Sequence, residues 1–299
     1  MFVSQVLFIY CKDMYDGYRN IEGEGCEGMS VIEIKHLTRD YGHGKGVFDI
    51  SFSVNQGEVF GFLGPNGAGK TTTIRHLVGF IKNQAGTCTI NGHDCWKESA
   101  YINKHLGYIP GEMAFFDDMT GHEFLAFMAK YRGHVDIKRQ QELIELFELN
   151  PQGKIKKMSK GMKQKLGIVS AFMHDPDILI LDEPTSGLDP LMQKRFIELI
   201  AREKEKGKTI LLSSHIFEEV ERTCDRVGII RQGKMVTVDS IETLRKRHMH
   251  QYTVTLSSNK EAEAFAKDFN GIVVEGNKVK VSSTSTLEHI FMDYYQGDA

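Results

Sequence analysis

One stretch limits what this chain can fold into more than any other: Val59-Phe-Gly-Phe-Leu-Gly-Pro-Asn-Gly-Ala-Gly-Lys-Thr-Thr72. Val59 to Leu63 reads as a short buried strand. Gly64 to Thr71 fits the pattern G-x-x-x-x-G-K-[ST], and a helical pattern follows from Thr72. Gly64, Gly67 and Gly69 permit backbone torsions that side chains forbid, so successive N–H groups can turn toward phosphate oxygens. The helix behind the loop adds its positive N-terminal end. A triphosphate would be cradled by Gly64, Pro65, Asn66, Gly67, Ala68, Gly69, Lys70, Thr71 and Thr72. Lys70 can reach the β- and γ-phosphates, and the Thr71 hydroxyl can hold Mg²⁺.

The rest of the chain supplies the sheet for that loop. Residues 1–29 show no periodicity and are expected to be an extension, possibly disordered, with Met29 as the working start. An alternating strand runs from Ser30, and Leu37 to Gly42 reads as a turn. Phe48–Val54, Gly86–Ile90 and Leu106–Ile109 are further strands. Thr120 and Glu123 form a capping box, with Met119 and Phe124 as its hydrophobic staple, and open a purely helical segment of about 60 residues. Asp177-Ile-Leu-Ile-Leu-Asp-Glu-Pro184 returns to a fully apolar strand, as a parallel strand buried on both faces requires. Helices at 193–206 and 217–225 alternate with strands at 209–212 and 226–230. The pattern predicts an α/β fold, a parallel sheet with helices on both faces.

Asp239 and Glu242 are expected to cap a last helix of this domain, ending near Met249. Beyond it, residues 251–299 read as a small α+β appendage. It has a strand at 252–256, a helix at 261–268 and a hairpin over 271–281 turning at Glu275-Gly-Asn277. A final helix capped by Ser285 and Glu288 would carry Leu287, Ile290, Phe291, Tyr294 and Tyr295 on one face.

Ligands of open parallel sheets bind at the carboxyl ends of the strands, so Asp182 and Glu183 fall at the same edge as the phosphate loop. Asp182 suits Mg²⁺, complementing Thr71. Glu183 suits a base that orients an attacking water.

Composition narrows the remaining possibilities. The chain has 299 residues, 41% of them apolar, enough for one large domain or two. A net charge of −3 exerts no pull toward nucleic acid. The six lysines between Lys154 and Lys165 read as a solvated helix end. Mean hydropathy is −0.30, and no apolar run approaches the ~18 residues of a membrane helix. Five cysteines, an odd number without a C-x-x-C pair, predict reduced thiols. Cys88, His93 and Cys95 lie close together but lack a second ligand pair, and no metal is expected there.

Taken in order, Gly64–Thr71, Met158-Ser-Lys-Gly-Met162, Ile178–Glu183, Ser186-Gly-Leu-Asp189 and His215 resemble five motifs of ABC transporter ATPase subunits. These are the Walker A, signature, Walker B, D-loop and H-loop motifs, and the resemblance covers residues 30–235. It implies a P-loop NTPase domain over residues 30–250. That domain would have a parallel-sheet core, an antiparallel β subdomain and an all-helical insert at about 115–175. It implies ATP and Mg²⁺ as ligands, and a head-to-tail homodimer or heterodimer with two sandwiched ATPs. Ser159 and Gly161 would meet the γ-phosphate held by the other protomer, with Asp189 of the D-loop in the same nucleotide-binding set. His215 would contact the γ-phosphate in cis, and Tyr41 would stack on adenine. The partner would be an integral membrane permease, which places the subunit in the cytoplasm, peripheral on the inner face of the membrane.

Two departures stand out. The signature usually reads Leu-Ser-Gly-Gly-Gln, and the glutamine expected after Pro110 is replaced by Gly111, with Glu112 next as a candidate substitute. With the appendage, these resemble the subfamily serving drug, antibiotic or lipid export. The competing functions are an ABC-type ATPase acting on ribosomes or nucleic acid, and a non-catalytic nucleotide sensor. A single cassette and the short spacing from Lys70 to Met158 speak against the first. Glu183 and His215 speak against the second.

Overall fold

Strand β3 is the spine of the molecule, and its five residues explain why. All of Val59–Leu63 are buried, so both faces must be covered. The computed structural model describes residues 30–133, 136–247, 250–269 and 271–283. The chain divides into two compact units between Val238 and Asp239.

In the first unit, β1 (Ser30–Asp40) and β2 (Gly46–Asn55) form an antiparallel pair. The strand runs on through Leu37 to Asp40, where the sequence suggested a turn. The irregularity there is a register shift between Ile34 and Leu37, with His36 at φ 52°, and pairing resumes beyond it. After β3 come α1 (Lys70–Leu77), β4 (Ala85–Ile90), β5 (His93–Asp94), α2 (Ser99–His105) and β6 (Leu106–Ile109). Strands β2-β1-β4-β5 make one four-stranded antiparallel sheet. Three helices follow, α3 (Gly121–Arg132), α4 (Ile137–Leu146) and α5 (Lys160–Phe172). The capping box forms as expected: Thr120 Oγ1 accepts from Glu123 N–H, and Glu123 Oε2 from Thr120 N–H. The chain then lays down β7 (Ile178–Asp182), α6 (Pro190–Glu205), β8 (Thr209–Ser214), α7 (Phe217–Thr223), β9 (Arg226–Arg231) and β10 (Lys234–Ser240).

The second sheet has the order β10-β9-β3-β8-β7-β6. From β9 to β6 every pairing is parallel. Leu63 pairs with Ser214, and Asp182 with Ser213, so these carboxyl ends meet at one edge. Besides the two-residue β5, two elements escaped the sequence pattern. All but one residue of β10 is half-buried, which leaves no alternation to detect. The seven-residue α2 buries Ile102 alone, too little for a period. Helix α6 begins at Pro190 because Asp189 caps it and proline is suited to a first turn.

The second unit holds α8 (Ile241–Arg247), β11 (His250–Thr255), α9 (Asn259–Asp268), β12 (Ile272–Glu275) and β13 (Lys278–Ser283). Thr243 N–H bonds Ser240 Oγ, so a serine supplies a cap at the start of α8 where Asp239 was expected. The sheet order is β11-β13-β12, antiparallel throughout. Val254, Leu256, Ala262, Phe265, Val279 and Val281 form its core. The predicted extension over 1–29 and the helix after Ser285 lie outside the described residues. Among those described, no helix is long and apolar enough to cross a membrane.

Candidate nucleotide site

The phosphate loop is held from both sides. Gly64 N–H donates to Ser214 O at the end of β8, and Ala68 O accepts from Gly233 N–H. Gly67 and Gly69 have φ of 78° and 115°, where an L side chain would be strained. Gly64 is glycine for a different reason than torsion: a Cβ there would lie 2.4 Å from Ile230 O. Helix α1 starts at Lys70, two residues before its apolar pattern becomes readable.

Lys70 is buried, and its Nζ donates to Gly64 O at 2.7 Å and to Pro65 O at 3.2 Å. The same ammonium lies 3.3 Å from Glu183 Oε1. The other carboxylate oxygen of Glu183 lies 3.6 Å from His215 Nδ1, which has no hydrogen-bond partner among the described residues. Glu183 thus sits between a lysine and a histidine. Its backbone is left-handed, at φ 48°. Asp182 is fully buried: Oδ1 accepts from Ser213 Oγ, while Oδ2 has no partner among the described residues. Burial, and secondarily the charge of Asp182, pushes the Tyr108 phenol up to about 12.

Lys70 and Glu183 border a cavity of about 670 Å³. Its wall includes Tyr41, Asn66, Gly67, Gly69, Lys70, Thr71, Thr72, Gly111, Glu112 and Glu183. Lys45, Arg75 and Gln232 also line it, and the sequence reading had not singled them out. Tyr41 is half exposed, with the Arg39 guanidinium 5.2 Å from its ring centroid. At Gly111, a Cβ would stand 2.9 Å from Asp182 Oδ2 and 3.7 Å from Thr71 Oγ1. The carboxylate and the hydroxyl therefore converge on one spot. A partnerless buried carboxylate oxygen beside a threonine hydroxyl is a hard-oxygen donor set, and it fits Mg²⁺.

Eight predicted residues do not line this cavity: Gly64, Pro65, Ala68, Asp182 and His215, which belong to the loop and strand ends described above, and Ser159, Gly161 and Asp189. Ser159 caps α5, its Oγ accepting from Met162 N–H, and Asp189 caps α6 by accepting from Met192 N–H. Both are exposed. Gly161 packs on the D-loop, where a Cβ would come 2.8 Å from Gly187 O. The signature lysine reaches the same loop, Lys160 Nζ donating to Ser186 Oγ at 3.0 Å. Deeper in the helix, Gln164 donates to Pro184 O at 2.6 Å, beside Glu183. Ser213 also escaped the sequence reading. A hydroxyl in the last turn of an apolar strand, two residues before His215, was its one available signal.

The family model described as ABC transporter matches residues 47–186. The linearmycin resistance ATP-binding protein LnrL of Bacillus subtilis is 38% identical over 79% of this chain and 77% of its own. The bacitracin transport ATP-binding protein BcrA of Bacillus licheniformis is 40% identical over 78% and 77%. A solved ATP-binding subunit of an ABC transporter superposes with a TM-score of 0.66 at 32% identity, covering 73% of this chain and 93% of that one. A dimeric cassette bound to ADP and phosphate, at 22% identity and a TM-score of 0.63, shares the fold; it covers 70% of this chain and 98% of that one. These relatives favour a transport motor over an ATPase acting on ribosomes or nucleic acid. With its phosphate loop and paired acids gathered at one sheet edge, this chain belongs to the ABC transporter family as an ATP-binding, ATP-hydrolysing subunit.

Proposed function

We propose that the chain hydrolyses Mg-ATP in this cavity, pairs with a second ATPase subunit, and drives a membrane permease that exports its substrate. The reading rests above all on Glu183, whose carboxylate lies 3.3 Å from Lys70 and 3.6 Å from His215 on the cavity wall.

Adenine stacks on Tyr41, and the loop amides and Lys70 hold the β- and γ-phosphates. Thr71 and Asp182 would hold Mg²⁺, which when bound supplies positive charge to the phosphate oxygens. Glu183 accepts the proton of the attacking water as its oxygen bonds to the γ-phosphorus and the bond to the ADP oxygen breaks. His215 donates to the γ-phosphate. Ser159, Gly161 and Asp189 serve the nucleotide held by the second subunit. The relatives named for linearmycin resistance and bacitracin transport support an exporter of antibiotic-like molecules. The motor then works on the cytoplasmic side of the membrane, docked on its permease.

Lys70→Ala tests the site. Removing the charge that faces the β- and γ-phosphates is expected to weaken ATP binding by at least about a hundredfold, two factors of 1.4 kcal/mol. Calorimetric titration with Mg-ATP reads it. Affinity within about threefold of wild type would contradict the site.

A further inference from the structure

Glu183 and His215 make no direct hydrogen bond, so their spacing depends on the two loops that carry them. One side chain joins those loops from behind. Glu219, in the first turn of α7, accepts from Thr185 Oγ1 at 2.6 Å through Oε1 and from Ser214 Oγ at 2.7 Å through Oε2. Thr185 lies two residues after Glu183, and Ser214 directly precedes His215. Both hydroxyl residues are buried, 7% and 2% exposed. Hydroxyl-to-carboxylate bonds of this length are among the stronger ones in proteins. Ser214 Oγ in turn accepts from Ile216 N–H at 2.9 Å, so the hydroxyl spans the residues on either side of His215. Thr223 Oγ1 donates to Glu219 O at 2.7 Å, which ties the far end of α7 to the same residue.

Glu219 does not line the nucleotide cavity. We propose that it is a positioning residue for hydrolysis: by accepting from Thr185 and Ser214 at once, its carboxylate holds the Glu183 loop in register with the His215 loop. The proposal rests on the reading that Glu183 and His215 act on the γ-phosphate. A small displacement of a reacting group has a large cost in rate, whereas ATP affinity, set by the phosphate loop, is untouched.

The test uses the purified full chain with Mg-ATP. Glu219→Ala is expected to lower kcat about tenfold and leave the ATP Kd within about twofold. Glu219→Gln keeps one acceptor and offers an amide donor to the other hydroxyl, so its kcat should return to within about threefold of wild type. Thr185→Val, an isosteric loss of one arm, gives a milder rate loss and serves if Glu219→Ala does not fold. In a His215→Ala background, Glu219→Ala should lower kcat by less than about twofold further, because the placement it protects no longer matters. A wild-type kcat in folded Glu219→Ala or Thr185→Val overturns the proposal. So does a full multiplicative loss in the His215→Ala background, which would mark a general structural role. An impaired His215→Ala beside a wild-type Glu219→Ala overturns this proposal alone. His215→Ala at the wild-type rate overturns the assignment of His215 itself and the proposal with it.

Discussion

Ser213 shows how one hydroxyl secures two acids. Its Oγ donates to Asp182 Oδ1 and accepts from Glu183 N–H at 3.1 Å, while its carbonyl takes the same N–H at 3.2 Å. Glu183 sits at φ 48°, a conformation that costs a non-glycine residue of order 1–3 kcal/mol and persists only where the surroundings hold it. The serine is fully buried, so no water replaces it. Ser213→Ala leaves neither carboxylate oxygen of Asp182 bonded. The expected cost is about 2 kcal/mol of stability, read as a lower urea midpoint at unchanged slope. An unchanged midpoint would show that Asp182 is satisfied by other means. The sequence reading gave Lys70, Thr71, Asp182, Glu183 and His215 because each belongs to a motif. Ser213 and Glu219 belong to none, since their importance comes from what they touch across β8 and α7.

At the scale of elements, the end of α5 carries a pH-dependent weakness. Arg139 of α4 donates to Phe172 O at 2.8 Å and pairs with Glu203 of α6 at 2.8 Å. His174 follows, and burial together with the nearby Arg132 and Arg139 charges pushes its imidazole down to about 4. The unfolded chain takes up this proton below about pH 6.5, whereas the folded chain refuses it until about pH 4. Stability is therefore full above about pH 6.5 and falls as the pH drops toward 4. The loss from this one group is about 2 kcal/mol between about pH 8 and about pH 5. His174→Gln, which cannot titrate, should lose correspondingly less when urea unfolding is compared at the two pH values. Equal losses in the two proteins would contradict the assignment. Elements with a marked period or cap were legible in advance: β3, β7, α3 and the hairpin of β12 and β13. Those with neither, β10 and α2, were not. The bulge in β1 looked like a turn because its polar residues break the alternation without ending the strand.

The whole molecule divides the candidate nucleotide residues into two groups. Lys70, Thr71, Asp182, Glu183 and His215 meet at the carboxyl edge of the parallel sheet. Ser159 and Asp189 are exposed helix caps that do not line the cavity. One chain holds both halves of a site without joining them, as expected if two subunits exchange them across a shared ATP. In the proposed function Glu183 would both split ATP and thereby release the pair. Glu183→Gln keeps the shape and hydrogen bonding of the side chain but cannot take a proton from water. Hydrolysis is expected to fall by roughly 10²–10⁴-fold, while ATP binding survives through Lys70 and the loop amides. The most direct measurement is gel filtration of this variant with Mg-ATP, run beside a turnover assay. Slow turnover is expected, with a shift to the dimer that wild type does not show. Turnover within about tenfold of wild type, with no dimer, would contradict the proposed function.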